Sequence, residues 1–237
     1  MFHLQNQLGW NQEAMIAGAR DVRLSPSIVE SFPRKEAALV EFFMDECLEN
    51  FIDRIESEKG LKNLIVSECI SKLVRIRLEM QAPYISKWPQ ALSIQALPQN
   101  VPTSFKQRAM LVDEICDAVG DEGSDFDWYV KRTILGGIYS TTEVYMLTDS
   151  SPEFRDTWAF LDSRVKDAFE LKKTMREVVS VGGLKSSFIA SSQFKKIEIL
   201  LTSVMYYNFS QMQHLAEAVG TGVGNSLDGL MKSIFQR

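Results

Sequence analysis

The stretch "SDFDWYVKR" (124–132) contains the residues whose types and spacing are chemically most informative. Neighbouring residues of a helix point about 100° apart, so one buried stripe does not readily hold both Trp128 and Tyr129. One interpretation is an exposed anchor for another protein, because Trp, Tyr and Arg are enriched at interface hot spots. The alternative is structural: Tyr129 covers a neighbouring helix and Trp128 seals the edge of the core.

Arg132 follows Trp128 by about one helical turn and offers a second kind of chemistry. Its planar guanidinium matches the oxygens of a phosphate, so it is a candidate for binding an anionic lipid headgroup. The nearby carboxylates of Asp125, Asp127 and Glu143 have a simpler interpretation as helix caps and solvating charge.

The sequence contains no recognisable catalytic or metal-binding pattern. His3 and His214 are the only histidines, and neither lies in an HxxxH, ExxH or CxxC arrangement, which disfavours zinc and His-ligated di-iron sites. P-loop, GxGxxG and GxSxG motifs are missing as well. Three widely spaced cysteines are typical of reduced thiols; they are Cys47, Cys69 and Cys116. We therefore predict a protein that is not an enzyme and uses no metal and no cofactor.

Composition limits the range of partners. The 237 residues are 45% hydrophobic and 24% charged, as in an ordinary globular protein, and carry a net charge of -5. Such a chain has no overall basic field for nucleic acid, so we predict no nucleic-acid partner. No apolar run approaches the roughly 18 residues that span a bilayer. The start "MFHLQNQLGW" has no leader pattern, so we expect either a cytosolic protein or a sequence that begins after a targeting segment.

Apolar residues recur mainly at helical spacing, which predicts an all-α fold. Four of the seven prolines lie in residues 83–104, and short helices there are expected to break at Pro83, Pro89, Pro98 and Pro102. Ser25 is predicted to cap one helix, and Ser151 another. The predicted helices cover residues 11–19, 25–31, 33–58, 64–82, 105–121, 125–148 and 150–178.

The helix over 125–148 is predicted to have two distinct faces. At about 100° per residue, its core side collects Val130, Ile134, Leu135, Ile138 and Tyr145. Its polar side collects Arg132, Thr133, Gly136, Ser140 and Glu143.

Residues 179–237 depart from this regularity. Residues 179–213 have Gly and Ser clusters and no clear helical stripe, whereas 214–237 regain amphipathic spacing. Four glycines weaken this last helix by up to ~1 kcal/mol each, so it is expected to fold against a surface. That surface is its own core, a partner or a membrane. The residues predicted to bind a membrane are Leu227, Leu230, Met231, Ile234 and Phe235.

The segment "LSPSIVESFPRKEAALVEFF" (24–43) resembles the helix-turn-helix of TetR-type repressors. Phe32, Pro33, Lys35, Glu36 and Leu39 fill the positions that open the long helix after the recognition helix. The recognition segment "PSIVES" contains no Arg or Lys, which are expected at base and phosphate contacts. The resemblance therefore implies a TetR-like bundle with a degenerate, N-terminally truncated helix-turn-helix. A TetR-like, ligand-binding transcription regulator remains the alternative function.

A longer resemblance covers about residues 8–176. The stretches "LGWNQEAMIAGA", "PYISKWPQALSIQALPQNVPTS" and "DFDWYVKRTILGGIYSTTEVYMLTDSSPEFRDTWAFLDSRV" resemble the mitochondrial ubiquinone-biosynthesis accessory family that is ninth in the COQ set. That resemblance implies a non-catalytic, homodimeric, TetR-like lipid-binding protein on the matrix side of the inner membrane. It implies that the protein presents ubiquinone precursors to the di-iron demethoxyubiquinone hydroxylase.

The resemblance also assigns roles to individual residues. The partner-docking motif corresponds to Asp125, Phe126, Trp128 and Tyr129, and the phospholipid-contacting Arg to Arg132. An apolar channel is expected from residues that are also candidates for plain core. They are Leu92, Ile94, Leu97, Ile115, Ile134, Ile138 and Tyr139, and Gly136 with Gly137 would allow close helix approach or room for an acyl chain.

These assignments predict four regions. Residues 1–58 are the degenerate helix-turn-helix and the start of the long helix, and 59–178 are the lipid-binding and partner-docking domain. Residues 214–237 are the C-terminal amphipathic membrane helix. The stretch 179–213 has no counterpart in the family; we interpret it as an atypical insert or linker, consistent with an intron retained in the gene model. Codons compatible with splice sites at Val179-Ser180 and Phe209-Ser210-Gln211 favour that hypothesis.

Overall fold

The computed structural model describes residues 8–58, 60–120 and 125–181; within these, the side chains of residue 62, of 125–130 and of 171–181 lie outside the description. The described residues form helices, turns and bends without a strand, which confirms the all-α prediction. The TetR-like detail stays a prediction. The α-helices are α1 Gln12–Asp21, α2 Lys35–Ser57, α3 Val66–Glu79, α4 Trp88–Gln95, α5 Val101–Val119, α6 Asp125–Met146 and α7 Arg155–Val181. Short 3₁₀ helices cover Pro26–Ser31, Leu61–Asn63, Ala82–Lys87 and Pro152–Phe154.

Local sequence sets most helix ends. The Asn11 side chain accepts a hydrogen bond from the backbone N–H of Ala14 at 2.9 Å and so caps α1. Ser25 accepts from the N–H of Ser27, as predicted, but the helix that follows is 3₁₀ and not α. At the end of α5, Gly120 adopts φ 69°, a left-handed conformation in which glycine has no steric penalty.

Helices break near all four prolines of residues 83–104, as predicted, but three of these prolines begin the next helix. Pro83 and Pro89 lie at the start of the 3₁₀ helix Ala82–Lys87 and of α4, and Pro102 lies in the first turn of α5. Backbone N–H groups in a first turn have no partner within the helix, so proline loses nothing there. Only Pro98 lies between two helices.

The chain divides into two compact units. The first comprises, among the described residues, 8–57 and 76–111, and the second comprises 58, 60–75, 112–120 and 125–181. The predicted boundaries of the four regions stay predictions. Helix α7 ends at Val181, three residues beyond its predicted end.

An aromatic cluster forms the centre of the first unit. The Trp10 ring packs edge-on against Phe43 at 5.0 Å, Trp88 at 5.6 Å and Tyr84 at 6.2 Å between centroids. The backbone N–H of Trp10 also donates to Oε1 of Gln90 at 2.8 Å. Aromatic contacts of this geometry stabilise beyond simple area burial, so the cluster ties the segment before α1 to α2 and α4.

In the second unit, the buried face of α6 differs from the predicted one. Its buried residues are Leu135, Ile138, Tyr139, Thr142, Glu143 and Met146, which follow i, i+3, i+4 spacing. Glu143 is therefore buried, against prediction, and Tyr145 is 37% exposed. Tyr145 stacks on Phe160 of α7 at 4.4 Å, so its packing partner is a helix surface and not the core. The hydroxyl of Thr142 donates to the carbonyl of Ile138 at 2.7 Å, which makes its burial inexpensive.

The turn between α6 and α7 is fixed by a carboxylate. Asp149 accepts from the N–H of Ser151 at 2.7 Å, and from the N–H and hydroxyl of Thr157 at 2.8 and 2.6 Å. Burial by itself raises the pKa of Asp149, but the hydrogen bonds from Thr157 and Ser151 outweigh it and lower that pKa to about 2. The Ser151 side chain contributes a weaker cap, accepting from the N–H of Asp156 at 3.0 Å. Asp149 is thus the main cap of this helix entry, a role the sequence prediction gave to Ser151.

Candidate functional site

Helix α6 carries the residues predicted to bind a partner and a lipid headgroup. The helix runs from Asp125 to Met146, so Asp125, Trp128 and Tyr129 occupy its first two turns, as the sequence predicted. Their side chains, and that of Phe126, lie outside the described residues. Partner docking through them stays a prediction.

Arg132 is the first of the predicted site residues along α6 whose side chain the structure describes. Its Nε donates to Oδ1 of Asp113 on α5 at 2.5 Å. The Arg132 side chain is 17% exposed and that of Asp113 is 46% exposed. The guanidinium is therefore held at the junction of α5 and α6, with a carboxylate already in place. A phosphate binding to Arg132 must share the guanidinium with Asp113 or displace it.

Cys116 lies beside this ion pair. Burial raises the pKa of its thiol; the charge of Arg132 opposes that rise, and Asp113 and Asp117 add to it. The thiol is consequently protonated at neutral pH and acts as a small apolar side chain. Among the described residues, this part of the surface therefore combines a paired cation with apolar packing, and the Cys116 thiol is not an activated nucleophile.

Gly136 of α6 faces Val112 of α5 in the second unit. A methyl group placed at Gly136 would lie 3.8 Å from Cγ2 of Val112, an ordinary van der Waals distance. An alanine would therefore fit here, and the two roles predicted for Gly136 stay predictions.

The apolar residues predicted to line a lipid channel divide between the two units. Leu92, Ile94 and Leu97 belong to the first unit, where Leu92 is buried and the other two are half-buried. Ile115, Ile134, Ile138 and Tyr139 belong to the second, together with Arg132; Ile134 is half-buried and the other three are buried. The lining role of these residues stays a prediction.

The predicted membrane residues are Leu227, Leu230, Met231, Ile234 and Phe235, and all lie outside the described residues. In the part of the chain that is described, no helix is long and apolar enough to cross a bilayer. The same residues contain no group of three or more His, Cys, Asp or Glu side chains arranged to hold a metal ion.

A shallow cleft between α3 and α7 was missed by the sequence prediction. Its volume is about 260 Å³, and its lining consists of Glu68, Ser71, Lys72, Arg75, Trp158, Leu161 and Asp162. The Arg75 guanidinium lies 4.9 Å from the centre of a Trp158 ring, and Lys72 bonds Glu58 at 2.8 Å. The sequence signal that could have indicated this cleft was Trp158, near the start of the charged helix α7. Acidic and basic side chains both line this cleft, so it does not suit an apolar isoprenoid.

Comparison of the sequence with known proteins shows which family it resembles. A family model described as COQ9 matches residues 101–172, which include α5, α6 and the first part of α7. The rat protein named "Ubiquinone biosynthesis protein COQ9, mitochondrial" is 39% identical over 180 residues, covering 73% of this chain and 58% of the rat protein. The human protein of the same name is 38% identical over 180 residues, covering 73% of this chain and 57% of the human one.

A more distant relative matches a stretch of about the same length at lower identity. The Dictyostelium discoideum protein named "Probable ubiquinone biosynthesis protein coq9, mitochondrial" is 30% identical over 186 residues, covering 76% of this chain and 60% of that protein. The match spans less than two thirds of the length of these relatives. The shared part nevertheless takes in most of the chain and contains the helices described above, and the chain contains the domain of the COQ9 family over residues 101–172.

Proposed function

We propose that this protein is a mitochondrial, non-catalytic accessory protein of ubiquinone biosynthesis that binds isoprenoid quinone precursors and phospholipid. The observation that carries the proposal is the similarity of 180 residues to mitochondrial proteins named for ubiquinone biosynthesis. The ion pair of Arg132 and Asp113 at the α5–α6 junction supports it, because a half-buried guanidinium next to apolar helices suits an anionic lipid headgroup.

The physical need for such a protein follows from the substrate. A polyprenyl quinone precursor is too apolar to diffuse through water to an enzyme, so an apolar channel lowers the cost of bringing it there. Each of the predicted apolar residues would line such a channel within its own unit. At Arg132, a lipid phosphate would exchange with the Asp113 carboxylate, one oxyanion replacing another at the same donor.

Docking to an enzyme and to the membrane completes the proposal. Asp125, Trp128 and Tyr129 would bind the di-iron demethoxyubiquinone hydroxylase, with the protein acting as a homodimer on the matrix side of the inner membrane. Residues 214–237 would attach to the membrane surface through apolar burial, which contributes roughly 25 cal/mol per Å². Lipid and enzyme would then meet at one end of α6.

The lipid claim is tested by extracting the purified protein with organic solvent and identifying the bound molecules by mass spectrometry. We expect isoprenoid quinone precursors, phospholipid or both. An extract without either lipid class would refute the proposal. A mobility-shift assay at low salt tests the alternative of a transcription regulator, and we expect no DNA binding. In the recognition segment Glu30 is an acidic residue, and it pairs with Lys35 at 3.2 Å.

The docking claim is tested by Trp128→Lys. We expect this variant to fold with unchanged far-UV circular dichroism and to lose binding to the hydroxylase in a pull-down or calorimetric titration. Phe105→Lys is the matched control, since Phe105 is 65% exposed on α5 and has no assigned docking role. Loss of helical signal in Trp128→Lys would show that Trp128 is a core residue, and equal loss of binding in both variants would refute the assignment.

A further inference from the structure

The corner between α1 and α2 keeps apolar side chains in solvent. Residues 20–34 are all exposed except Val29, which is buried. Four of the eleven large apolar residues that are exposed in the described part of the chain lie in this corner. They are Val22 at 56%, Leu24 at 49%, Phe32 at 44% and Ile28 at 37% exposed. Apolar exposure concentrated in one short segment is typical of an interaction surface.

The backbone of this corner holds a charged residue in a strained conformation. The N–H of Leu24 donates to the carbonyl of Ala19 at 2.8 Å. The N–H of Arg23 donates to the carbonyl of Arg20 at 2.9 Å, and the two bonds end α1 in a Schellman motif. Arg23 consequently has φ 61°, the left-handed conformation in which glycine is the usual residue. Because strain of this kind clusters at functional sites, an arginine at this position indicates a use for its side chain.

Two cations of the corner are unpaired. Arg20 and Arg23 are exposed, and neither takes part in an ion pair within the described residues. The exposed Asp21 lies between them in the sequence. Glu30, the other acidic residue of the corner, already pairs with Lys35 at 3.2 Å. The free charge of the corner is therefore positive, in a chain whose net charge is -5.

The corner overlaps the helix-turn-helix-like segment, which has no role in the proposed function. Duplex DNA would pair with the two arginines but offers no apolar surface to the side chains beside them. Protein hot spots are enriched in Trp, Tyr and Arg, whereas Leu and Val are under-represented. A bilayer surface accepts both features, because aliphatic side chains enter the acyl boundary and guanidinium groups bind headgroup phosphates. The combination of Val22 and Leu24 with two free arginines therefore favours a membrane.

We propose that residues 20–32 form a membrane-contact surface that binds anionic bilayers. The two arginines pair with lipid phosphates, and Val22 and Leu24 enter the acyl boundary, with the other two exposed apolar residues of the corner beside them. This surface belongs to the first unit and is additional to residues 214–237, which alone attach to the membrane in the proposed function. It depends neither on lipid bound inside the protein nor on partner docking by α6.

Vesicle flotation with the full-length protein measures binding, and hydrogen exchange followed by mass spectrometry locates it. The vesicles are phosphatidylcholine alone, or one part phosphatidylglycerol to two parts phosphatidylcholine. We expect tighter binding to the anionic vesicles, weakened by salt, since each arginine at an anionic surface contributes about fivefold to the affinity. On the anionic vesicles, amide exchange should slow in residues 20–32. Exchange in residues 214–237 tests the membrane attachment of the proposed function separately.

Arg20→Gln/Arg23→Gln tests the charged contacts. We expect this double variant to bind anionic vesicles about 30-fold more weakly than the parent and neutral vesicles equally well. Arg54→Gln/Arg155→Gln is the matched control, because both residues are exposed arginines outside the corner. It removes the same charge and should bind as the parent does.

Val22→Gln/Leu24→Gln tests the apolar contacts. We expect binding to fall about tenfold or more on both vesicle compositions, because less apolar surface enters the bilayer. Ile65→Gln/Val66→Gln is the control, since these apolar side chains are 63% and 42% exposed where α3 begins, and it should bind as the parent does. The Tm of each double variant should match that of the parent, because every substituted side chain is exposed.

The proposal is overturned if Arg20→Gln/Arg23→Gln binds anionic vesicles with the parent's affinity, or if vesicles leave the exchange of residues 20–32 unchanged. Failure of the parent protein to bind anionic vesicles also overturns it. Slower exchange in residues 20–32 at higher protein concentration without lipid would identify a second copy of the chain as the occupant. The same effect from soluble polyglutamate would identify an acidic protein surface, and either result would replace the membrane.

Discussion

Asp149→Asn isolates the contribution of one carboxylate to the stability of the second unit. In the parent protein, Oδ1 of Asp149 accepts from the N–H of Ser151, and Oδ2 accepts from the N–H and the hydroxyl of Thr157. An asparagine of the same shape places an NH₂ donor at one of these positions. If its oxygen keeps the bond to Ser151, the NH₂ group faces the N–H of Thr157, donor against donor.

The pKa of Asp149 gives the magnitude. A lowering from 3.8 to about 2 corresponds to about 2.4 kcal/mol of folding free energy. Asp149 is half-buried, and solvent screening reduces this figure, so we expect Asp149→Asn to cost about 1–2 kcal/mol at pH 7. For a chain of this size the corresponding fall in Tm is about 2–8 °C.

The sign of the pH dependence follows from the lowered pKa. A carboxyl whose pKa is lower in the folded than in the unfolded state stabilises the protein fully above the unfolded value. That stabilisation is lost as the pH falls from about 4 towards 2. The difference in unfolding free energy between the parent and Asp149→Asn should therefore be constant at neutral pH and shrink in that acid range.

Urea denaturation followed by circular dichroism at several pH values between 7 and 2.5 measures this difference. Asp53→Asn is the control, because Asp53 is an exposed carboxylate on α2 and the change removes the same charge. A cost below ~0.3 kcal/mol for Asp149→Asn at pH 7, or a cost unchanged at pH 2.5, would refute the reasoning.

Three further substitutions test the packing. Gly9→Ala should destabilise the protein by about 2 kcal/mol, because Gly9 has φ 82° and its new methyl would lie 2.5 Å from Oε1 of Gln90; thermal unfolding measures this. Gly136→Ala should be neutral or stabilise by up to ~1 kcal/mol, since its methyl meets Val112 at 3.8 Å in a helix interior; equal effects at the two glycines would contradict this reasoning. Trp10→Ala should cost about 3–5 kcal/mol in urea unfolding because the ring is fully buried, and a cost below 1 kcal/mol would show that the cluster repacks.

Local sequence determined the helices and many of their ends. Apolar spacing predicted α2, α3, α5, α6 and α7 to within a few residues, and Asn11 and Gly120 marked helix ends because their chemistry acts within one turn. The long resemblance also identified the family. A match over many unusual positions is specific to one family, whereas a short periodic pattern occurs in many unrelated proteins.

Tertiary structure alone decided which polar groups are paired or buried. The helical wheel placed Glu143 towards solvent and Tyr145 in the core, and the packed structure reverses both. Sequence spacing within α6 cannot show that Arg132 meets Asp113, nineteen residues earlier on another helix. The burial of Arg77 beside Met44 likewise depends on two helices meeting. The physical reason is that periodicity fixes directions around one axis, whereas burial and charge pairing depend on which neighbouring helix occupies each direction.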